Sequence, residues 1–380
     1  MELSTLLLLI AYNLVFFSKF YRNPYLNSTS ELSRMFFPHW VWMGRQLRKF
    51  KLPFTDSLFF RFPACFPVLS TFYPAHFVTA FLGSFLKLDY SFILLQFSIL
   101  AHFILGSVLS YFMFLRWATP EVALLGSVVL TYNGYCIKVQ QPTIAYTLAW
   151  IPGMFVGGII SVISTTMAIL SGYYPILIYI LPFALFFNLA EVTVGALFGL
   201  IQLIPFLIYY SKSVRFGKKF DGSIGRVPIF KFTDLFLFNG NRTHTNGVFF
   251  MEMGMYVGVI PLLLIWNSTS KTWIMLMLGI AITTGLIRQV QRIPARALYL
   301  VVFSITWLMC DSLNGNFGKY QLIALTLIQA WCLLRNNSTY PSFPFTEWWN
   351  KPSDKVHDIT GYLTGKSNGF YDGSFALRSN

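Results

Sequence analysis

The sequence predicts an all-α polytopic transmembrane bundle, and three observations carry that prediction. Of 380 residues, 55% are hydrophobic and only 11% are charged, where a soluble domain carries about 25% charged residues. The apolar residues recur in continuous blocks of about 17–25 positions, each long enough for a helix to cross roughly 30 Å of hydrocarbon. The alternating pattern of an outer-membrane barrel is absent, so helices are expected to satisfy the backbone in lipid.

The blocks follow in order. Leu3 to Ser18 is preceded only by the charge of Glu2 and lacks the basic n-region of a signal peptide, so it is expected as the first span. Its Asn13 is a modest cost that burial against a neighbouring helix absorbs. Residues 19–66 then carry eight basic side chains against Glu31 and Asp56, a net of +6. Within them Met35, Phe36, Phe37, Trp40, Val41, Trp42 and Leu47 recur at helical spacing, as in an amphipathic helix lying along a membrane surface. Spans are expected near 68–86, 91–115, 120–137, 142–164, 166–186 and 189–210. Pro74, Pro152, Pro175, Pro182 and Pro205 fall in or near them, where kinks or broken helices can line a cavity.

A second polar connection, 211–246, sets seven basic residues against Asp221 and Asp234, a net of +5. Four more spans are expected near 247–266, 272–288, 295–312 and 318–335, which brings the total to about 10–11. The organisation read from the chain is a transmembrane domain, 1–335, and a polar tail, 336–380. Cys65, Cys136, Cys310 and Cys332 stand far apart, without the spacing of a zinc site or redox pair, and read as packing residues. The net charge of +14 is concentrated in connections between apolar blocks, which favours lipid headgroups or phosphates over nucleic acid as partners.

Few ionisable groups are available for chemistry. Glu31 lies three positions before Arg34, so a helix would place both on one face. The pair serves either as a surface ion pair or as an oriented carboxylate suited to a general base or a metal ligand. Asp56 follows Leu52-Pro53-Phe54-Thr55, where a proline-favoured turn makes it a cap for what comes next. His39 beside Trp40 reads as a headgroup contact, a proton carrier or a snorkelling polar tip. Arg288, Arg292 and Arg296 recur every four residues before a span, interrupted by Pro294. They are either ordinary basic flanking or a bidentate grip on phosphate. Glu191 and Asp311 are the other carboxylates within or near apolar blocks. Five N-x-[ST] triplets, at Asn27, Asn241, Asn267, Asn336 and Asn337, carry little weight. Walker, HExxH, GxSxG and Rossmann signatures are missing, which removes support for nucleotide-driven and common hydrolase mechanisms.

The order of segments adds a resemblance. After the first span, "NPYLNSTSELSRMFFPHWVWMGRQLRKFKLPFTDSLFFRFPACFPVLSTFYP" resembles the first extracytoplasmic loop of YfhO-type bacterial membrane proteins, of the GT-C glycosyltransferase class. The matching positions are Glu31, Phe37-Pro38, Gly44, Arg45, Pro53 and Tyr73-Pro74. "LSGYYP" (170–175), "EMGMYVGVIPL" (252–262) and "RIPAR" (292–296) are similar to later family segments and follow in the same order.

The resemblance implies a GT-C-like fold in a bacterial cytoplasmic (inner) membrane. It also implies transfer of a sugar from a polyprenyl-phosphate carrier to an extracytoplasmic cell-envelope acceptor. Glu31 would then be the base, with Arg292 and Arg296 contacting the departing phosphate; Asp56, Arg34 and His39 are secondary candidates from the residues themselves. The family's acidic position is usually Asp, and Glu31 is one methylene longer. Family members are commonly longer as well, and 345–380 looks like the start of their further domain, so a shortened, split or inactive member and a second polypeptide partner all stay open. A divalent cation is compatible with this chemistry, although so carboxylate-poor a site offers few oxygen ligands. The positive-inside rule would put both basic connections in the cytoplasm, whereas the resemblance puts the first outside; arginines facing a lipid-linked phosphate give the second reading its reason. The alternatives are a transporter or flippase for an anionic lipid or solute and a non-catalytic remnant.

Overall fold

The computed structural model describes residues 3–18, 21, 36–51, 55–56, 62–63, 70, 72–138, 142–211, 256–268, 271–284, 286 and 294–337. Within them the chain is helical apart from one two-residue antiparallel pair. In order, the helices are α1 Leu3–Phe16, α2 Phe37–Arg48, α3 Pro74–Gly83, α4 Leu88–Leu115, α5 Pro120–Tyr132, α6 Gly134–Lys138 and α7 Pro142–Trp150. They continue as α8 Gly158–Leu170, α9 Tyr174–Phe187, α10 Leu189–Ser211, α11 Val259–Leu264, α12 Trp273–Thr284, α13 Leu298–Leu313 and α14 Lys319–Asn337. Thr55–Asp56 (β1) pairs with Phe62–Pro63 (β2). Proline opens α3, α5, α7 and α9, where its missing N–H removes no helical bond.

The centre is formed by α5, α7 and α13, whose residues are buried almost all round, as expected of helices with neighbours on every side. Tyr12 of α1 donates to the Ala330 carbonyl of α14 at 2.8 Å. Asn13 of α1 is fully buried and donates to Tyr132 Oη at 3.1 Å, while Tyr21 Oη donates to Asn13 Oδ1 at 2.9 Å. Partial burial pushes the Tyr21 phenol above its ordinary value, so it stays protonated and keeps that bond. Asn13 is absorbed in the way the sequence led us to expect.

Two helices, Tyr90–Leu115 and Leu189–Ile208, are long and apolar enough to cross a membrane. The second is the more telling, because only 22% of its apolar stretch is buried inside the molecule. Phe198, Ile201 and Leu197 are 60–65% exposed there. The core helix of a soluble protein would hide such residues, so an outward apolar face of this extent fits contact with lipid.

Three expectations need correction. The block 142–164 does not form one span. It contains α7, a 3-10 turn at Pro152–Phe155 and the start of α8, and the break falls at Gly157 and Gly158, with φ of +91° and +56°. Block 166–186 is likewise broken, at Gly172 with φ +85°. These left-handed conformations are open to glycine and strained for most other residues. At 1.5 Å per residue, α8 and α9 reach only about 20 Å and α7 about 14 Å, short of a full crossing. The third correction concerns α2. Its apolar face, with Phe37, Trp40, Val41, Met43 and Leu47 buried, is covered by protein rather than spread on a surface. A Cβ on Gly44 would overlap the Ala80 carbonyl of α3, and one on Gly83 would overlap the Trp40 ring. Small residues thus let the two helices cross in close contact.

Candidate functional site

The ends of the helices decide which segments share a face. Cys310 Sγ of α13 lies 3.8 Å from the Val122 carbonyl near the start of α5. The Tyr135 and Tyr299 rings meet at 6.0 Å beyond the other end of α5. So α5 and α13 are antiparallel, and α13 begins where α5 finishes. Asn13 reaches Tyr132 there too, so α1 also finishes at this end. The segment following α1 therefore starts on the same side of the molecule as Arg296, which precedes α13.

Level with this end lies a buried polar cluster, His102 sharing a cavity wall with Thr131 and Tyr299. Tyr73 Oη donates to His102 Nε2 at 2.5 Å and accepts from Trp150 Nε1 at 2.7 Å. His102 Nδ1 is 2.6 Å from the Ser98 carbonyl. A carbonyl only accepts, so Nδ1 carries the ring proton and Nε2 is left as acceptor for Tyr73. Tyr146 stacks on Tyr73 at 4.9 Å, lies 4.1 Å from the His102 ring centre and shares a 3.1 Å hydrogen bond with Ser98. His76, 1% exposed, meets Tyr146 at 5.8 Å with its Nδ1 unbonded. Alongside, Ser70 Oγ donates to the Ser171 carbonyl at 2.6 Å, and Thr147 and Ser171 hydroxyls are 2.6 Å apart.

The depth of the cluster follows from the helices. Gly195 and Gly199 of α10 pack on Thr165 and Ile169 of α8, so these two helices run parallel. Gln202 of α10 accepts from the Phe72 N–H at 3.3 Å, and past it α10 continues for nine residues, about 14 Å. Ser98 likewise stands ten residues into α4, about 15 Å from its start. The α8–α9 turn and the Tyr73–His102 group thus share a level well inside the bundle.

A cavity of about 20 Å³ borders the cluster, lined among others by His102, Ser110, Thr131, Cys136 and Tyr299. The Thr131 hydroxyl in its wall has no hydrogen-bond partner. This space is large enough for one water and too small for a sugar. Among the described residues no three His, Cys, Asp or Glu side chains converge on a metal-sized position.

Of the residues singled out from sequence, Glu31, Arg34 and Arg292 lie outside the described residues. Asp56 stands opposite Phe62 in the antiparallel β1–β2 pair, and its side chain, on which the capping and catalytic readings depend, is not among those described. His39 is fully buried in α2, with its ring 5.5 Å from Trp42, which removes the snorkelling and headgroup readings. Arg296 lies in a 3-10 turn opened by Pro294, so a regular helical row of arginines does not extend to it. Its guanidinium stands 5.4 Å over the Tyr173 ring in the α8–α9 turn, a cation–π arrangement. Asp311 accepts from Ser268 at 2.5 Å. Cys136 and Cys310 are buried free thiols.

Sequence reasoning missed His76, His102, Tyr146 and Trp150. The available signal was the presence of two histidines inside apolar blocks, since ionisable residues there are functional candidates by default. No family model, curated protein or solved structure matches the chain.

Proposed function

We propose that the chain is a multi-pass protein of the bacterial cytoplasmic membrane, a GT-C-like transferase that takes a sugar from a polyprenyl-phosphate carrier. What supports the reading is one juxtaposition: the segment that carries Glu31 leaves α1 at the same end as Arg296. The half-length helices α7, α8 and α9 support it further, because their turns bring polar groups and Arg296 to mid-depth, where irregular backbone is tolerated only if protein or a cavity surrounds it. Orientation in the membrane belongs to the same proposal.

In this scheme the acceptor hydroxyl oxygen attacks the anomeric carbon of the sugar. The bond between that carbon and the phosphate oxygen breaks, and its electron pair leaves with the polyprenyl phosphate. Glu31 takes the hydroxyl proton, while the guanidiniums of Arg292 and Arg296 stabilise the charge gathering on the phosphate. Both groups act on charge that develops in the transition state, which is where such interactions accelerate a reaction.

A second reading, movement of an anionic lipid or solute, is favoured by the same broken helices at Gly157-Gly158 and Gly172, a feature of transporter sites. Purified protein in nanodiscs, given polyprenyl phosphates bearing labelled hexoses and envelope glycopolymer acceptors, separates the two. Transfer that falls by about 10²–10⁴-fold in Glu31→Gln, the usual worth of a general base, supports the transferase. Lipid flipping in vesicles that is unchanged in Glu31→Gln, with no transfer from any donor by the wild type, supports transport instead.

A further inference from the structure

Three helix ends meet at one tip of the molecule. Arg48, the last residue of α2, donates to the Ser84 carbonyl just past α3 at 3.4 Å and stands 5.0 Å over the Phe85 ring. Ser91 in the first turn of α4 donates to the Gly83 carbonyl at 2.8 Å. Residues 45–51 and 81–90 together carry Arg45, Arg48, Lys49, Lys51 and Lys87 against Asp89, a net of +4. All five cations are exposed, and among the described residues none of them pairs with a carboxylate.

The backbone at the tip adds a second observation. The Phe50 N–H donates to the Leu47 carbonyl at 2.9 Å and the Lys51 N–H to the Gln46 carbonyl at 3.0 Å, the two bonds that close a helix when the residue after its cap is left-handed. Glycine usually fills that place. Here it is Phe50, at φ +55°, where a bulky side chain strains the backbone. The ring is 96% exposed, so in water this residue would combine strain with a bare aromatic surface between two lysines. Val78, Leu82 and Phe85 are 51–56% exposed, and their spacing of four and three residues puts them on one side of α3 and the turn after it. An apolar strip that ends in a collar of cations is how a membrane helix meets the headgroup layer, with its rings among acyl chains and its charges at the phosphates.

We propose that this tip is a docking site for anionic phospholipid headgroups, with Phe50 inserted below the phosphates and Lys49 and Lys51 holding them on either side. The apolar face of α2 is covered by α3, so the end of α2, not its length, meets the headgroups. Charge complementarity selects an anionic headgroup over a zwitterionic one, since each cation near such a surface is worth about fivefold in binding. The outward apolar residues select lipid over a nucleic acid strand, which would leave Val78 and Leu82 in water. The proposal rests on the membrane placement in the proposed function and needs no sugar transfer.

Native mass spectrometry of the detergent-solubilised full chain, titrated with dioleoyl phosphatidylglycerol or phosphatidylcholine, tests this through the dissociation constant of the first lipid bound. The wild type should favour phosphatidylglycerol by about tenfold or more. Lys49→Gln/Lys51→Gln should cut that preference by about fivefold or more and leave phosphatidylcholine binding unchanged. Lys271→Gln/Lys319→Gln, the same charge removed elsewhere, should leave the preference as it is. Phe50→Gly should weaken phosphatidylglycerol binding about tenfold without lowering the thermal midpoint, because glycine holds the left-handed backbone free of strain; a lowered midpoint would make Phe50 a structural residue instead. Equal binding of the two lipids by the wild type, or a preference that survives Lys49→Gln/Lys51→Gln, overturns the proposal with the membrane placement intact. Release of bound phosphatidylglycerol by millimolar inorganic phosphate or by an oligonucleotide would make the tip a phosphate or nucleic acid site and overturns it too. Failure to retain either lipid contradicts the membrane placement as well.

Discussion

The substitution Gly44→Ala probes the contact that separates a docked α2 from one lying on a membrane surface. A Cβ at position 44 would overlap both the carbonyl oxygen and carbonyl carbon of Ala80, atoms of a helix backbone that cannot rotate away. Overpacking of this kind costs about 1–3 kcal/mol, because α2 must lift off α3 and the fully buried Trp40 ring beneath it moves too. At roughly 2–4 °C per kcal/mol for a domain of 150–250 residues, detergent-solubilised protein should lose about 2–12 °C in its thermal midpoint. The midpoint can be followed by tryptophan fluorescence and size-exclusion recovery. Gly318→Ala is the control, since its Cβ would meet only Gln321 Oε1 at 3.6 Å, an ordinary contact worth less than about 0.5 kcal/mol. Equal midpoints for the two variants would refute the docking of α2 on α3.

Further outcomes follow from other contacts. In a Cys65→Ser background, membrane-permeant maleimide should label the partly exposed Cys332 and spare buried Cys136 and Cys310 until the protein is denatured; ready labelling of Cys310 would contradict the burial of α13. A double-mutant cycle between Asn13→Ala and Tyr132→Phe should give a coupling of about 0.6–1.7 kcal/mol, the range for buried hydrogen bonds between membrane helices, and additivity would deny their bond. If Arg296 steadies the departing phosphate as proposed, Arg296→Ala should lower kcat for transfer by about tenfold or more, and Arg296→Lys should recover little of it, because a point charge does not replace a planar bidentate fork. Recovery by lysine would reduce the role of Arg296 to net charge.

Much of the helical layout was legible because long apolar runs leave the backbone few options. α4 and α10 coincide with their blocks within a few residues, and Asn13 was recognised as a residue for a buried contact. The breaks at 157–158 and 172 were not placed, because glycines inside an apolar run look like ordinary packing residues until the left-handed backbone is seen. For α2 the period was right and the partner was wrong, since amphipathicity identifies an apolar face but not whether lipid or α3 covers it. Gly44 and Gly83 were the clue, each one a place where a second helix comes close. The Tyr73–His102–Trp150 group spans 77 residues of chain, and only the folding of α3, α4 and α7 against one another brings it together. His39 illustrates the converse, a residue whose sequence neighbours resemble an interface and whose helix carries it inside.

Spin labels at Ser30→Cys and Gln291→Cys, next to Glu31 and Arg292, test most directly whether the acid and the guanidiniums gather around one headgroup. Measured by pulsed electron paramagnetic resonance in nanodiscs, the pair is expected within about 20 Å. A separation of about 40 Å, the thickness of a bilayer with its headgroups, would place them on opposite faces and contradict shared work on a lipid-linked sugar.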